Sequence, residues 1–252
     1  MAPSMFSLAG RVAMVTGANT GLGQAIAIAL AEAGADIVAV GRTDPRDTQT
    51  SVLGLGRRFL AVHADLTSTD ALPPTVQAAL SQFGQLDILV NNAGIIRRQD
   101  AVEFSEADWD AVLDVNLKSA FFLTQAVGRH MIRAGRGKVI NIASMLSFQG
   151  GIRVASYTAS KSGIAGLTRL LANEWAAKGV NVNAIAPGYF ATANTTALRA
   201  DENRNRDILS RIPAGRWGQP ADLGGAAVFL AAPASDYVHG AIIPVDGGWL
   251  AR

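Results

Sequence analysis

The stretch of sequence that decides the fold reads Val12-Ala13-Met14-Val15-Thr16-Gly17-Ala18-Asn19-Thr20-Gly21-Leu22-Gly23. Its first five residues form an apolar run biased to β-branched side chains, which is typical of a strand buried on both faces of a parallel sheet. Residues 24–33 then follow a helical pattern that ends at Gly34. A strand, a glycine-rich turn and a helix in this order predict an α/β fold.

The glycine-rich turn is a candidate binding site for the diphosphate of a dinucleotide. Glycine lets the backbone turn tightly, and the following helix offers its N–H groups and positive end to an anion. A tight turn that binds nothing is the alternative, although the flanking strand and helix supply the context that the motif requires. The candidate cofactor contacts here are Gly17, Asn19, Thr20, Gly21, Leu22 and Gly23.

Further apolar runs predict six more strands, over residues 36–40, 59–62, 86–90, 138–143, 180–185 and 241–245. Asp65 follows the third of the seven strands and would hydrogen-bond the adenine amine, with Leu66 beside it; a helix cap is the alternative. The small residues after the fourth strand would let the chain pass close to a cofactor, or form an asparagine-stabilised turn. The candidates at that turn are Asn92, Ala93 and Gly94.

The end of the second strand bears on the choice between NAD and NADP. An acidic residue there would bind the adenosine ribose of NAD, whereas an arginine accompanies the extra phosphate of NADP. This chain has Gly41 followed by Arg42. The local chemistry therefore favours NADP, with a surface role for Arg42 as the alternative.

Residues 144–161 place a hydroxyl, a phenol and an ammonium close together in the chain. Tyr157 and Lys161 are four residues apart in a helical pattern, so their side chains share one helix face. A free tyrosine has a pKa of about 10, and a nearby ammonium lowers it, which makes Tyr157 a candidate general acid and base. Ser144 ends the strand at 138–143 and would bind the same substrate oxygen. A chance pair on a solvated helix is the alternative.

Asn116 is a polar exception on the apolar face of a helix that starts after Ser105. Ser105 suits the N-cap position, and the apolar residues that follow recur at helical spacing. A buried asparagine needs hydrogen-bond partners, so Asn116 would hold a water in a relay from Lys161, or be satisfied by backbone.

Composition excludes several classes of function. The chain has 252 residues, 49% of them apolar, and a formal charge of +2, which leaves no electrostatic footprint for nucleic acid or an anionic membrane. Cysteine is absent, so disulfides, thiolate metal sites and a cysteine nucleophile are excluded. The three histidines lack ligand spacing, and we predict no metal site.

These motifs, in this order, resemble the short-chain dehydrogenase/reductase family from end to end. The resemblance implies one doubly wound Rossmann domain with a seven-stranded parallel sheet, and NAD(P)(H) as cofactor. It also implies that Tyr157 is the general acid and base, that Ser144 binds the substrate oxygen, and that Lys161 lowers the tyrosine pKa and holds the nicotinamide ribose. The other positions that match the family are Asn116, which anchors a relay water, and the cofactor contacts Pro187, Gly188 and Thr192.

Within the family the chain is most similar to enzymes that act on deoxy sugar acids, which generally use NAD. The similarity rests on residues 94–98, 143–153, 211–218 and 246–252. It implies an anionic substrate, and Arg97 or Arg153 would grip its carboxylate unless both are surface arginines. The candidate substrate contacts are Arg97, Ser144, Gln149, Arg153 and Tyr157.

Alternatives and wider expectations follow from the same reading. A reductase of a 3-oxoacyl thioester or a keto-uronate would share all the catalytic residues, and a silent nucleotide sensor would share the fold. We expect a single domain over residues 1–252 with a mobile substrate lid near 189–212. The family resemblance implies a homotetramer. We expect the protein in the cytoplasm, because residues 1–8 lack a leader pattern and no long apolar segment occurs.

Overall fold

The computed structural model describes residues 5–251. Its strands are β1 (Val12–Thr16), β2 (Asp36–Gly41), β3 (Phe59–His63), β4 (Ile88–Asn91), β5 (Gly137–Ile142), β6 (Val180–Pro187) and β7 (Ile242–Val245). They form one seven-stranded parallel sheet in the order β3-β2-β1-β4-β5-β6-β7. The predicted α/β fold with a doubly wound parallel sheet is therefore confirmed.

The α-helices connect successive strands and cover both faces of the sheet. In chain order they are α1 (Gly21–Glu32), α2 (Arg46–Gly54), α3 (Leu72–Phe83), α4 (Glu106–Leu113), α5 (Ser119–Ala134), α6 (Ala155–Trp175), α7 (Thr196–Ala200), α8 (Glu202–Arg211) and α9 (Gly224–Ala231). The strand order reverses at β1, which pairs with both β2 and β4. A crevice therefore opens beyond the carboxyl ends of these strands, where open α/β sheets bind their ligands.

Two apolar cores lie on opposite faces of the sheet. On one face α1 and α9 pack through residues such as Ile26 and Leu230. On the other face α3, α5 and α6 pack through residues such as Val127 and Trp175. Every residue of β1 and of β6 is buried, because both faces of a parallel sheet are covered by helices. This burial explains why β1 is a continuous apolar run. In β6 the buried Asn181 and Asn183 donate hydrogen bonds to the Val238 carbonyl oxygen.

The helix predicted after Ser105 is interrupted. Ser105 does cap α4, because its hydroxyl accepts a hydrogen bond from the Asp108 backbone N–H at 3.2 Å. A π-helical turn over Asp114–Lys118 then separates α4 from α5. Such turns insert an extra residue in a helix and are frequent at functional sites. Asn116 lies inside this turn.

The segment predicted as a lid contains α7 and α8. Asp201 caps α8 by accepting a hydrogen bond from the Arg204 backbone N–H at 3.0 Å. Ile208 and Ile212 anchor the segment in a small apolar cluster with Trp217 and Trp249. The mobility of the segment stays a prediction.

Two further expectations concern residues that the structure does not describe or describes only in part. The domain predicted over residues 1–252 extends to residues 1–4 and 252, which lie outside the described residues, as does part of the stretch searched for a leader. Within residues 5–251, no helix combines the length and the apolar composition that crossing a membrane requires.

Candidate active site

The glycine-rich turn joins β1 to α1 by a close approach of backbone to backbone. Gly17 has φ 65°, a left-handed conformation that favours glycine. A Cβ at Gly23 would overlap the carbonyl oxygen of Gly17 and the amide of Asn92. The first turn of α1 contains no acidic residue, and Thr20 makes no side-chain capping bond. The positive end of α1 is therefore left to an external anion, so these residues fit a dinucleotide diphosphate.

The turn after β4 is bound to the end of β1. The Thr16 hydroxyl accepts hydrogen bonds from the backbone N–H groups of Asn92 at 3.0 Å and Ala93 at 2.9 Å. The Asn92 amide donates to the carbonyl oxygens of Thr16 at 2.9 Å and Gly17 at 3.2 Å. Asn92 thus holds two cofactor-side loops together.

Both loops border a cleft of about 750 Å³ beyond the carboxyl ends of the strands. This volume lies in the range of small-molecule and cofactor sites. The cleft is lined by every predicted cofactor contact: Gly17, Asn19, Thr20, Gly21, Leu22, Gly23, Arg42, Asp65, Leu66, Asn92, Ala93, Gly94, Tyr157, Lys161, Pro187, Gly188 and Thr192. The structure brings these residues together, although their contacts to a cofactor stay predictions.

Arg42 lines the cleft near two acids that are already engaged. Asp44 pairs with Arg46 at 3.1 Å. Asp65 accepts hydrogen bonds from the backbone N–H and the hydroxyl of Thr67, which hold the pKa of Asp65 below its usual value. Arg42 is exposed at the end of β2, at the position that would meet the adenosine ribose.

Ser144, Tyr157 and Lys161 meet at the wall of the same cleft. Ser144 follows β5 and caps a short 3₁₀ turn, where its hydroxyl accepts a hydrogen bond from the Leu146 backbone N–H at 3.2 Å. Tyr157 and Lys161 lie one turn apart on α6, and the Lys161 ammonium is 5.5 Å from the centroid of the tyrosine ring. The ammonium donates to the Ile142 carbonyl oxygen at 2.7 Å.

Burial controls the ionisation of this group. It raises the pKa of Tyr157 above its ordinary value, while a hydrogen bond with Ser144 and the positive charge of Arg98 partly oppose the rise. Burial also lowers the pKa of Lys161 to about 8. We expected Lys161 to lower the pKa of Tyr157, but the pKa of Tyr157 is raised. The Lys161 ammonium is itself desolvated and donates its hydrogen bond to Ile142. Its role toward the phenol in the presence of cofactor stays a prediction.

Asn116 is 2% exposed, and protein atoms satisfy its amide. Its oxygen accepts a hydrogen bond from the Ile95 N–H at 2.8 Å, and its nitrogen donates to the Ile95 carbonyl at 2.9 Å and the Ser160 hydroxyl at 3.2 Å. Asn116 thus ties the π-helical turn to the loop after β4 and to α6. The relay water stays a prediction.

The predicted substrate residues lie in three different settings. Arg97 lines the cleft and pairs with Asp108 at 3.1 Å. Arg153 is not among the lining residues, and pairs with Asp100 at 3.0 Å. Gln149 lines the cleft and accepts a hydrogen bond from the Trp249 indole N–H at 3.2 Å.

Arg98 is a cleft residue that sequence reasoning missed. It lines the cleft, and its positive charge acts on Tyr157. The adjacent pair Arg97-Arg98 was a signal, but the chain here is neither helix nor strand, so no periodicity tells which arginine faces the cleft. The structure turns Arg97 toward Asp108 and leaves Arg98 near the phenol.

An aromatic cluster borders the cleft at Tyr189, which is one of its lining residues. Tyr189 packs against Trp217 and Trp249, with ring centroids 5.5 and 4.8 Å away. The Arg211 guanidinium of α8 stacks 3.9 Å from the Trp249 ring centroid. Trp249 therefore connects the predicted lid to the loop that carries Gln149.

The cleft lies at the glycine-rich turn and has Ser144, Tyr157 and Lys161 among its lining residues, a combination that defines a class of enzyme. A family model for enoyl-(acyl carrier protein) reductase matches residues 17–250. The chain belongs to the short-chain dehydrogenase/reductase family, and it is an NAD(P)-dependent oxidoreductase acting on CH–OH groups. Within residues 5–251, no group of three or more His, Cys, Asp or Glu side chains has the arrangement needed to hold a metal ion.

The chain is similar over its whole length to dehydrogenases whose names refer to sugar acids. The 2-dehydro-3-deoxy-D-gluconate 5-dehydrogenase of Escherichia coli is 63% identical over 250 residues, covering 99% of this chain and 99% of that one. A crystal structure from Agrobacterium tumefaciens with bound NADP is 61% identical, has a TM-score of 0.94 and covers 99% of this chain and all of that one. A gluconate 5-dehydrogenase from Burkholderia cenocepacia, in complex with NADP and tartrate, is 39% identical with a TM-score of 0.94 and full coverage of both chains.

Proposed function

We propose that this protein transfers a hydride between NADP(H) and a keto or hydroxy group of a deoxy sugar acid of the 2-dehydro-3-deoxy-D-gluconate type. The observation that carries the proposal is the convergence of Ser144, Tyr157 and Lys161 with Arg98 in one cleft. The first three residues supply proton chemistry for a carbonyl, and the arginine supplies a positive charge for an acid. The name of the Escherichia coli relative supports the choice of substrate.

The proton in this reaction moves at the hydroxyl of Tyr157. When bound, the reduced dinucleotide supplies the hydride to the carbonyl carbon. The carbonyl oxygen then gains negative charge and takes a proton from Tyr157, which acts as a general acid. Ser144 hydrogen-bonds with Tyr157 and lies beside it, so one oxygen of the substrate accepts hydrogen bonds from both hydroxyls.

The raised tyrosine pKa suits proton donation. At neutral pH Tyr157 is protonated, which is the state that reduction requires. Oxidation in reverse requires the phenolate, which the hydrogen bond with Ser144 and the charge of Arg98 stabilise. The site therefore needs no deprotonation before it can reduce a ketone.

The acid group of the substrate would bind to Arg98. A guanidinium presents parallel N–H donors that match a carboxylate in a bidentate arrangement. Arg97 also lines the cleft, but its pairing with Asp108 already uses its Nε. Tartrate bound to the Burkholderia cenocepacia relative is consistent with a site that accepts hydroxy acids.

We infer a preference for NADP(H) over NAD(H). Arg42 lines the cleft at the end of β2, while Asp44 and Asp65 are held by Arg46 and Thr67. A phosphate on the adenosine ribose would meet the Arg42 guanidinium there. Both acids already have partners, so neither is free to bind the ribose hydroxyls of NAD. The alternative is a preference for NAD, which the similar enzymes of the family generally use.

We also infer a homo-oligomer in the cytoplasm, with a homotetramer as the specific expectation. Exposed apolar side chains lie on three neighbouring helices: Trp109 on α4, Phe122 on α5 and Leu170 on α6. Gly166 of α6 has open space around its Cα, so a second helix can approach it closely. A nicotinamide-dependent oxidoreductase needs the coenzyme pool of the cell interior, which supports the location.

The experiment that tests the proposal compares two substrates and two cofactors. Purified protein is mixed with 3-deoxy-D-glycero-2,5-hexodiulosonate or with a neutral ketone, using NADPH and NADH at matched concentrations. We expect turnover of the sugar acid, and Arg98→Ala should raise its KM about tenfold or more, as the loss of a charge-assisted bond predicts, without changing the KM of the ketone. Wild-type protein that reduces a 3-oxoacyl thioester and leaves the sugar acid untouched would reject the proposed substrate.

A further inference from the structure

Arg153 has an unusual backbone conformation. Its φ is 62°, in the left-handed region, and no other non-glycine residue among residues 5–251 has a positive φ. A long side chain is disfavoured there, and such outliers persist only where the surroundings hold them. Glycine would adopt the same conformation without strain. The arginine side chain at this position therefore calls for a compensating contact.

Two contacts hold Arg153, and both reach the same short segment. Its carbonyl oxygen accepts a hydrogen bond from the Gln99 backbone N–H at 3.1 Å. Its Nε pairs with the Asp100 carboxylate at 3.0 Å. These contacts join Arg153, two residues before the start of α6, to the segment immediately after Arg98.

The segment that carries Arg98 depends on such contacts. Residues 92–100 form neither helix nor strand. At one end Asn116 bonds both backbone groups of Ile95, and at the other end Arg153 bonds Gln99 and Asp100. The Arg97 side chain also pairs with Asp108. Arg98 therefore has attachments on both sides, and those that follow it come from Arg153.

We propose that Arg153 and Asp100 form a clasp that positions Arg98 in the cleft for recognition of the substrate carboxylate. Arg153 is then a positioning residue and not a ligand of the substrate. The inference rests on the proposed function, because the carboxylate belongs to the proposed sugar acid.

Asp100→Asn separates the clasp from direct binding by Arg153. If Arg153 gripped the carboxylate itself, removing its partner would free it, and the KM for the sugar acid would fall or stay constant. If the pair is a clasp, Asp100→Asn loosens the segment and misplaces Arg98, so the KM rises. Both side chains of the pair are more than half exposed, so the pair contributes little by itself. We therefore expect a rise of about threefold to fivefold, with the kcat and the cofactor KM within roughly twofold of wild type.

A charge reversal supplies the second arm. Arg153→Asp alone should raise the KM for the sugar acid. Adding Asp100→Arg should bring the KM most of the way back to the wild-type value, because the reversed pair joins the same two positions. Aspartate tolerates the left-handed conformation at 153 better than most residues. Asp36→Asn, which breaks the 2.7 Å pair with Arg58 at the far side of the sheet, is the matched control. A double variant no better than Arg153→Asp, or an unchanged KM in Asp100→Asn, would overturn the clasp.

Backbone amide hydrogen exchange tests the clasp without any substrate. We expect the backbone amides of residues 98–100 to exchange faster in Asp100→Asn than in wild type, with residues near Asp36 unchanged. Equal exchange in both proteins would overturn the clasp even if the sugar acid is turned over. Wild-type protein that ignores the sugar acid would reject the proposed function, while faster exchange in the variant would still support the clasp.

Discussion

The ammonium of Lys161 lies 5.5 Å from the centre of the Tyr157 ring and donates its 2.7 Å hydrogen bond to the Ile142 carbonyl. The two side chains share a helix face, yet the phenol draws its stabilisation from Ser144 and Arg98. At neutral pH the folded chain therefore holds a protonated tyrosine and a lysine of lowered pKa. This pair of ionisation states determines the pH behaviour that we expect.

Reduction should be insensitive to pH through the neutral range. Because the pKa of Tyr157 is raised, the acid form persists, and kcat/KM for ketone reduction with NADPH should decline only at strongly alkaline pH. Oxidation of the hydroxy acid needs the phenolate and should accelerate as pH rises. Measuring kcat/KM against pH in both directions checks this, and a reduction rate that already declines between neutrality and mild alkalinity would contradict it.

Tyr157→Phe should abolish turnover and keep the cofactor site. General acid catalysis typically contributes about 10²–10⁴-fold, so the loss in kcat should be of at least that order. The glycine-rich turn and Arg42 do not depend on the phenol, so the Kd for NADPH, measured by calorimetry, should stay within roughly threefold of wild type. Activity that survives in the variant would show that another group donates the proton.

Lys161 should make stability depend on pH in a defined window. Its pKa is about 8 when folded and 10.5 in the unfolded reference, so the unfolded chain binds more protons between these values. The free energy of unfolding therefore gains from this group as pH rises from about 8 to 10.5, by at most roughly 3 kcal/mol. Urea unfolding at both ends of the window should show this gain in wild type and lose it in Lys161→Met. The exposed Lys178→Met is the control and should retain the gain; equal pH slopes in wild type and Lys161→Met would refute the assignment.

Arg42→Ala should change cofactor choice. Removing the guanidinium should raise the KM for NADPH about tenfold or more, since charge-assisted bonds to a phosphate are lost, and leave the KM for NADH nearly unchanged. The exposed Arg133→Ala, on the last turn of α5, is the charge-matched control. A wild-type preference for NADH, with no effect of Arg42→Ala on either KM, would make Arg42 a bystander.

The sequence allowed the sheet and the placement of Tyr157 beside Lys161 to be predicted. Strands buried on both faces are rich in apolar residues, and Tyr157 and Lys161 lie on one helix, so spacing alone places them together. The π-helical turn at Asn116 leaves the apolar pattern of the helix unbroken and was not predictable. Helix α8 was not predictable either, because only Ile208 of its residues is buried.

The loops that meet over the cleft were the least predictable part. Arg97, Arg98 and Arg153 belong to irregular segments, where no periodicity fixes the direction of a side chain. Arg97 pairs with Asp108, and Arg153 pairs with Asp100, which is distant in the sequence. Neither pairing follows from sequence spacing. Sequence reasoning named Arg97 and Arg153 as candidates for the acid group and did not single out Arg98, which lines the cleft together with Tyr157.

The place of Trp249 makes one indole a reporter on two distant parts of the chain. Its N–H donates to the Gln149 side chain at 3.2 Å, while the Arg211 guanidinium stacks 3.9 Å from its ring centroid. A displacement of α8 would therefore change the surroundings of this indole and, through the Gln149 bond, reach the loop between Ser144 and Tyr157. The intrinsic fluorescence of Trp249 should thus respond to any movement of α8, with no added label.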